Sequence, residues 1–201
     1  MTEESGPEQP IINVAAERVA LGPLRQDLLS AYQRWSNDLA AAHRFGQRPR
    51  SETLEQVTAW YERESAATDR VAFTIYDRQT WRPIGTCDLN AIDDSAGTAY
   101  LAIRIGEPNA RSRGFGTEAV RLLLDVAFTA LGLHNVMLTV AEFNHAGRRA
   151  YEKAGFRECG RRRQCVVLSG RRWDELMMDF LATEFESPVL GHLFAPDEPQ
   201  T

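Results

Sequence analysis

The chain has 201 residues, 43% hydrophobic and 25% charged, with 23 basic and 28 acidic side chains for a net charge of −5. That is the length of one domain with a sizeable core and the composition of a soluble globular protein. The acidic balance argues against a nucleic-acid partner and suits a cationic substrate. No apolar run is long enough to cross a bilayer and the polar, acidic N-terminus is not a signal peptide, so a cytoplasmic protein without a membrane partner is expected.

In chain order, residues 1–10 read as a flexible leader and residues 18–21 as a short strand closed by Gly22 and Pro23. Residues 24–42 place Leu24, Leu28, Ala31, Tyr32, Trp35 and Leu39 on one helical stripe. Gly46 and Pro49 interrupt it, and residues 51–67 restart as helix with Ser51 as the N-cap and Glu55 near the first turn. Residues 71–76 alternate as a strand, 77–80 turn, and 83–91 return as a hairpin. Cys87 on that strand reads as core. The other cysteines, Cys159 and Cys165, make an odd total without C-x-x-C spacing, so neither a disulfide framework nor a metal site is expected.

After the turn at 93–97, the apolar run 100–105 is a strand that leads into Arg111-Ser112-Arg113-Gly114-Phe115-Gly116-Thr117. A helix follows, residues 117–130, with Val120, Leu123, Leu124, Ala127 and Leu131 on one stripe and Gly132 as its cap. Strand, glycine loop and helix N-terminus make an anion site. Gly114 and Gly116 admit backbone N–H groups to a phosphate, the helix start adds unpaired donors, and Arg111 and Arg113 add charge. A dinucleotide fingerprint requires a third glycine where Ala119 stands, and the Gly-Lys-Ser/Thr of a P-loop is absent.

A second stretch decides what the loop is for. After the strand at 135–140 comes Asn144, then Tyr151, Lys153, Gly155 and Phe156, in the pattern Asn-x6-Tyr-x-Lys-x-Gly-Phe. Together with Arg-x-x-Gly-x-Gly at 111–116 it resembles the acetyl-CoA-binding core of the GCN5-related N-acetyltransferase (GNAT) superfamily. Within it the layout is most similar to the branch that acetylates ribosomal-protein N-termini and polyamines. Residues 156–168 and 173–181 pair as a final hairpin across Ser169 and Gly170, and residues 183–201 form a tail whose middle carries Val189, Leu190, Leu193 and Phe194.

The resemblance implies one acetyltransferase domain over residues 11–182. Its α/β (α+β) fold is a mixed, mostly antiparallel sheet with splayed parallel strands, flanked by helices. It implies acetyl-CoA as co-substrate and no metal. The acceptor is a primary amine, of a small molecule or a peptide N-terminus, that attacks the thioester directly. A homodimer is compatible with it. The pyrophosphate falls to the backbone of Arg111, Arg113, Gly114, Phe115, Gly116 and Thr117, and the pantetheine arm to the strand backbone at Ile103 and Ile105. Asn144 matches the asparagine that contacts the cofactor, and is also well suited to cap its helix. Tyr151 matches the tyrosine that protonates the leaving thiolate. Glu142 and a water relay stand as alternatives for the base.

Two departures from the ribosomal branch are visible: Gly147 stands where serine is common, and Tyr151 is present where it is often lacking. The walls of the acceptor site, residues 24–67 and the last hairpin, hold Trp35, Asp38, His43, Phe45, Trp60 and Tyr61 as cation binders or as ordinary helix residues. A non-catalytic acyl-CoA-binding module is the competing function, and the presence of Tyr151 argues against it.

Overall fold

The computed structural model describes residues 10–45 and 50–194. The leader up to residue 9, Gly46, Pro49 and the end of the tail lie outside the described residues. Strands β1 (Val14–Ala15) and β2 (Val19–Pro23) open the domain, and a 3-10 turn at Gln26–Leu28 leads into α1 (Leu29–Ser36), α2 (Leu39–Arg44) and α3 (Leu54–Ala66). Then follow β3 (Val71–Asp77), β4 (Arg82–Asp93), β5 (Thr98–Ile105), α4 (Phe115–Asp125), β6 (Asn135–Ala141), α5 (His145–Ala154), β7 (Arg157–Leu168) and β8 (Arg171–Leu181).

Among the described residues the eight strands form one sheet in the order β1-β2-β3-β4-β5-β6-β8-β7. Each neighbouring pair is antiparallel except β5 and β6, which run parallel. This is the mixed sheet implied by the glycine loop and the Asn-to-Gly stretch. The short β1, too brief to show an alternation, was not legible in the sequence.

The single helix expected over 24–42 is two. Asn37 ends α1 by bridging to a distant residue: its Nδ2 donates to the carbonyls of Gln33 and Glu52, and its Oδ1 accepts the Glu52 N–H at 2.9 Å. The break rotates Leu39 off the stripe to 61% exposure, while Ala31, Tyr32 and Trp35 stay buried. Trp35 lies so close over Gly106 that a Cβ there would come within 2.2 Å of the indole. Its Nε1–H donates to Glu107 at 2.9 Å, which fixes α1 to the segment just before the glycine loop. Thr53 rather than Ser51 caps α3, in a reciprocal capping box with Gln56.

Helix α4 buries Phe115, Ala119, Val120, Leu122, Leu123 and Leu124, each worth about 1–3 kcal/mol of transfer free energy for the larger side chains. It continues as a π turn over Val126–Ala130, closed by the Leu131 N–H on the Val126 carbonyl at 2.9 Å. The wider turn shifts the helical phase, so Leu131 ends 42% exposed instead of on the buried stripe.

The tail is docked over its first part. Phe185 packs in an aromatic cluster with Phe128 and Phe180, and Leu190 is buried. Leu193 and Phe194 are exposed.

Candidate active site

The site begins where two parallel strands part. β5 and β6 pair only at Thr98–Asn135, Ala99–Val136 and Tyr100–Met137. Beyond that point β5 stays on β4 as far as Ile105, and β6 stays on β8 as far as Ala141. Backbone groups on the inner edges of the two strands are left without a strand partner, and polar backbone in a fold's interior requires one.

A cleft of about 310 Å³ occupies the opening. Ile103 and Ile105 line it from β5, Ser112, Gly114, Gly116 and Thr117 from the glycine loop, and Asn144, Ala150 and Tyr151 from α5. Gly114 adopts the left-handed conformation (φ +88°) that turns the loop into α4. The first helical bond is from Glu118 N to the Gly114 carbonyl at 3.2 Å, so the N–H groups of Phe115, Gly116 and Thr117 are the open donors of the helix start. A Cβ built on Gly116 meets nothing closer than Ile105 Cγ1 at 3.7 Å, an ordinary contact. The fold itself therefore does not require glycine there.

Of the two arginines of the loop, Arg111 lines the cleft and Arg113 does not. The Arg111 guanidinium donates to the carbonyls of Ile105, at 3.0 Å, and Gly106, and pairs with Asp38 at 2.7 Å. Asp38 also caps α2 by accepting the Ala41 N–H at 3.1 Å. The Arg111 hydrogen bond holds the Asp38 carboxyl below its ordinary range, helped by that cap. Arg111 thus ties the loop to α2 and occupies part of the open edge of β5. The Arg113 side chain lies outside the cleft, over the ring of Phe115 at 5.3 Å. Phe115 itself is buried, so only its backbone faces the loop's open side.

On α5, Asn144 lines the cleft and caps the helix by accepting the Gly147 N–H at 3.0 Å through its Oδ1, a cap that does not use its Nδ2. Tyr151 stands two turns further on. Its ring meets Phe156 edge-to-face at 6.1 Å, and burial pushes its phenol up to about 12. No described residue hydrogen-bonds its hydroxyl. Glu142 does not line the cleft: its Oε1 accepts the Asp174 N–H at 3.1 Å and its Oε2 lies 3.5 Å from Arg161.

Arg149 and Lys153 also line the cleft. Their signal in the sequence was the i, i+4 spacing of two basic residues on the helix that carries Tyr151. On the acceptor side, Ala41 and Phe45 line the cleft, whereas Trp35 and Tyr32 are buried together and Trp60 stacks edge-on against Tyr32 at 5.5 Å. Among the described residues no group of three or more His, Cys, Asp or Glu side chains is placed to hold a metal, and no helix is long and apolar enough to cross a membrane.

The forked sheet and the glycine loop that opens α4 beside it frame a cleft with unpaired backbone donors at one end. Residues 18–157 match the acetyltransferase (GNAT) domain family, and the chain belongs to that family. It is 32% identical over 113 residues to an uncharacterized N-acetyltransferase, p20, of Bacillus licheniformis, a match over 56% of this chain and 63% of that relative, less than two thirds of its length. It is 28% identical over 134 residues to spermidine N(1)-acetyltransferase of Vibrio cholerae, over 67% of this chain and 76% of that one. The structure of spermidine N-acetyltransferase from Vibrio cholerae in complex with CoA and spermine superposes with a TM-score of 0.77 at 25% identity, over 83% of this chain and 97% of that one.

Proposed function

We propose that this chain transfers the acetyl group of acetyl-CoA to a primary amine of a polyamine-like small molecule or a peptide N-terminus, in the manner of the polyamine and N-terminal branch of its family. The observation that carries the reading is Tyr151 in the lining of the cleft beside the parting of β5 and β6, its hydroxyl bonded by no described residue.

Position in the cleft supports the following residue roles. The open N–H groups of Phe115, Gly116 and Thr117 hold the pyrophosphate, aided by the positive end of α4. The part of the inner edge of β5 that Arg111 leaves open, around Ile103 and short of the Ile105 carbonyl, pairs with the amide groups of the pantetheine arm as an added strand would. The Asn144 Nδ2 donates to the same arm. The amine nitrogen forms its bond to the acetyl carbon as the carbon–sulfur bond breaks, and Tyr151 gives its proton to the departing thiolate. Water at the mouth of the cleft removes the amine proton, since Glu142 is held by Asp174 and Arg161.

The net charge of −5 and the likeness to a spermidine acetyltransferase support a cationic acceptor. The test is thiol release from acetyl-CoA with polyamines, aminoglycosides, amino acids and short peptides, at two ionic strengths. Release with polyamines or peptides, with apparent affinity falling as salt rises for the cationic ones, is the expected result. Acetyl-CoA binding without thiol release from any amine would leave a binding module instead.

A further inference from the structure

A second pocket, of about 300 Å³, shares the glycine loop with the cleft. Gly114 and Gly116 line the cleft, whereas Arg113 and Phe115 line the second pocket. Arg18 enters it from the start of β2, and Arg78 and Gln79 from the turn between β3 and β4. Three guanidinium groups therefore meet in one concavity.

Each of the three is held without a carboxylate. Arg18 donates to the Arg113 carbonyl at 2.9 Å and stacks on Phe115 at 4.6 Å. Arg113 covers the same ring and donates to the Asn109 carbonyl at 3.4 Å. Arg78 donates to the Ala16 carbonyl. Among the described residues none of them forms an ion pair, although Glu17 and Asp77 also line the pocket. The Asp77 carboxylate accepts the Gln79 N–H at 2.9 Å instead. Backbone carbonyls thus fix three positive groups in place while most of their N–H donors stay open, since a guanidinium has five. Three guanidinium groups against the two carboxylates of Glu17 and Asp77 leave the lining with one net positive charge, which attracts an anion. A carboxylate brings one charge and two oxygens. A phosphoryl group brings close to two charges and three oxygens, which three guanidinium groups can share.

We infer that this pocket binds a phosphoryl group. It has two sources. One is the 3′-phosphate of CoA seated in the adjoining cleft, which rests on the function proposed above. The other is a free phosphate or phosphomonoester, which does not.

The experiment uses the full chain, Arg78→Ala and Gln79→Glu. The second variant adds a negative charge to the pocket and leaves every arginine contact in place; thermal melts establish that both are folded. Calorimetry measures the affinity of each for CoA and for dephospho-CoA at low salt, and phosphorus NMR measures inorganic phosphate binding with the cleft saturated by dephospho-CoA. A wild-type preference for CoA of about tenfold, falling below about threefold in both variants, supports the pocket with CoA as the source. Equal affinity for the two CoA forms, together with phosphate binding that Gln79→Glu weakens, supports it with a free phosphoryl ligand. A CoA preference that survives both variants, or equal affinities without phosphate binding, overturns the inference. Should neither CoA form bind, the proposed function fails, and the pocket is decided by whether phosphate binding to the unliganded chain is weakened by both Arg78→Ala and Gln79→Glu, which supports it, or by neither, which overturns it.

Discussion

Asn144 and Gly147 hold each other in place: the Asn144 Oδ1 accepts the Gly147 N–H at 3.0 Å, and a Cβ on Gly147 would come within 2.6 Å of the Asn144 amide. The residue that caps α5 and lines the cleft therefore also excludes a side chain three positions on. Gly147→Ser is expected to displace the cap and cost about 1 kcal/mol of stability, the usual worth of an N-cap. It should also weaken acetyl-CoA binding, because the Nδ2 donor moves with the cap. Chemical denaturation and calorimetry on the one variant read both effects; unchanged values in both would detach the asparagine from the cleft.

Gly114 and Gly116 should fail differently. Gly114 sits at φ +88°, so Gly114→Ala strains the backbone by about 1–2 kcal/mol whatever is bound. Gly116 has room for a Cβ in the protein alone. Gly116→Val should stay close to wild type in melting temperature yet lose acetyl-CoA affinity on the order of tenfold, about 1.4 kcal/mol. Intact affinity in a folded Gly116→Val protein would remove the phosphate role from the loop.

Tyr151→Phe keeps the ring against Phe156 and deletes the proton donor. Turnover should fall by about 100-fold while acetyl-CoA affinity changes little, since donation to the thiolate grows toward the transition state. Single-turnover rates, which isolate chemistry from release, are the measurement. An unchanged rate would make Tyr151 a packing residue.

Because burial pushes the Tyr151 phenol up to about 12, the acid stays protonated across the working range. The rate should rise with pH as the amine loses its proton, with no descending limb from Tyr151 until pH approaches 12. The same shift bears on stability. The folded chain retains a proton that the unfolded chain releases near its ordinary value of about 10, so this contribution is full below pH 10 and is lost as pH rises through about 12. Alkaline unfolding of wild type and Tyr151→Phe should therefore diverge in that window and coincide below it.

Asp125 is fully buried at the end of α4, and its carboxylate accepts from Thr129 and Ser187 hydroxyls at 2.7 and 2.6 Å and from the Val189 and Leu190 N–H groups at 2.9 Å. Asp125→Ala leaves those donors without an acceptor and should cost about 2–4 kcal/mol in urea unfolding. Hydrogen exchange at Val189 and Leu190 should quicken with it. Protection that persists at both amides would mean that the aromatic packing of Phe185, not the carboxylate, holds the tail.

The glycine loop, the Asn144-to-Gly155 helix and the final hairpin were legible in the sequence because each is fixed by spacing within a dozen residues: helical stripes, strand alternation, glycine at a turn. Asn144, Tyr151 and Gly116 came with them to the cleft. What the tertiary structure alone decided is where charge goes. Arg111 meets Asp38 across 73 positions, and Asp125 meets the tail across 62 to 65. Arg18, Arg78 and Arg113 converge from three separate turns, and Glu142 is drawn to Asp174 and Arg161 on the last hairpin. Periodicity constrains a side chain to a face of its own element. The partner it finds there depends on the path of the whole chain, and a charge buried or crowded by that path takes whichever counter-charge or donor the path brings within reach.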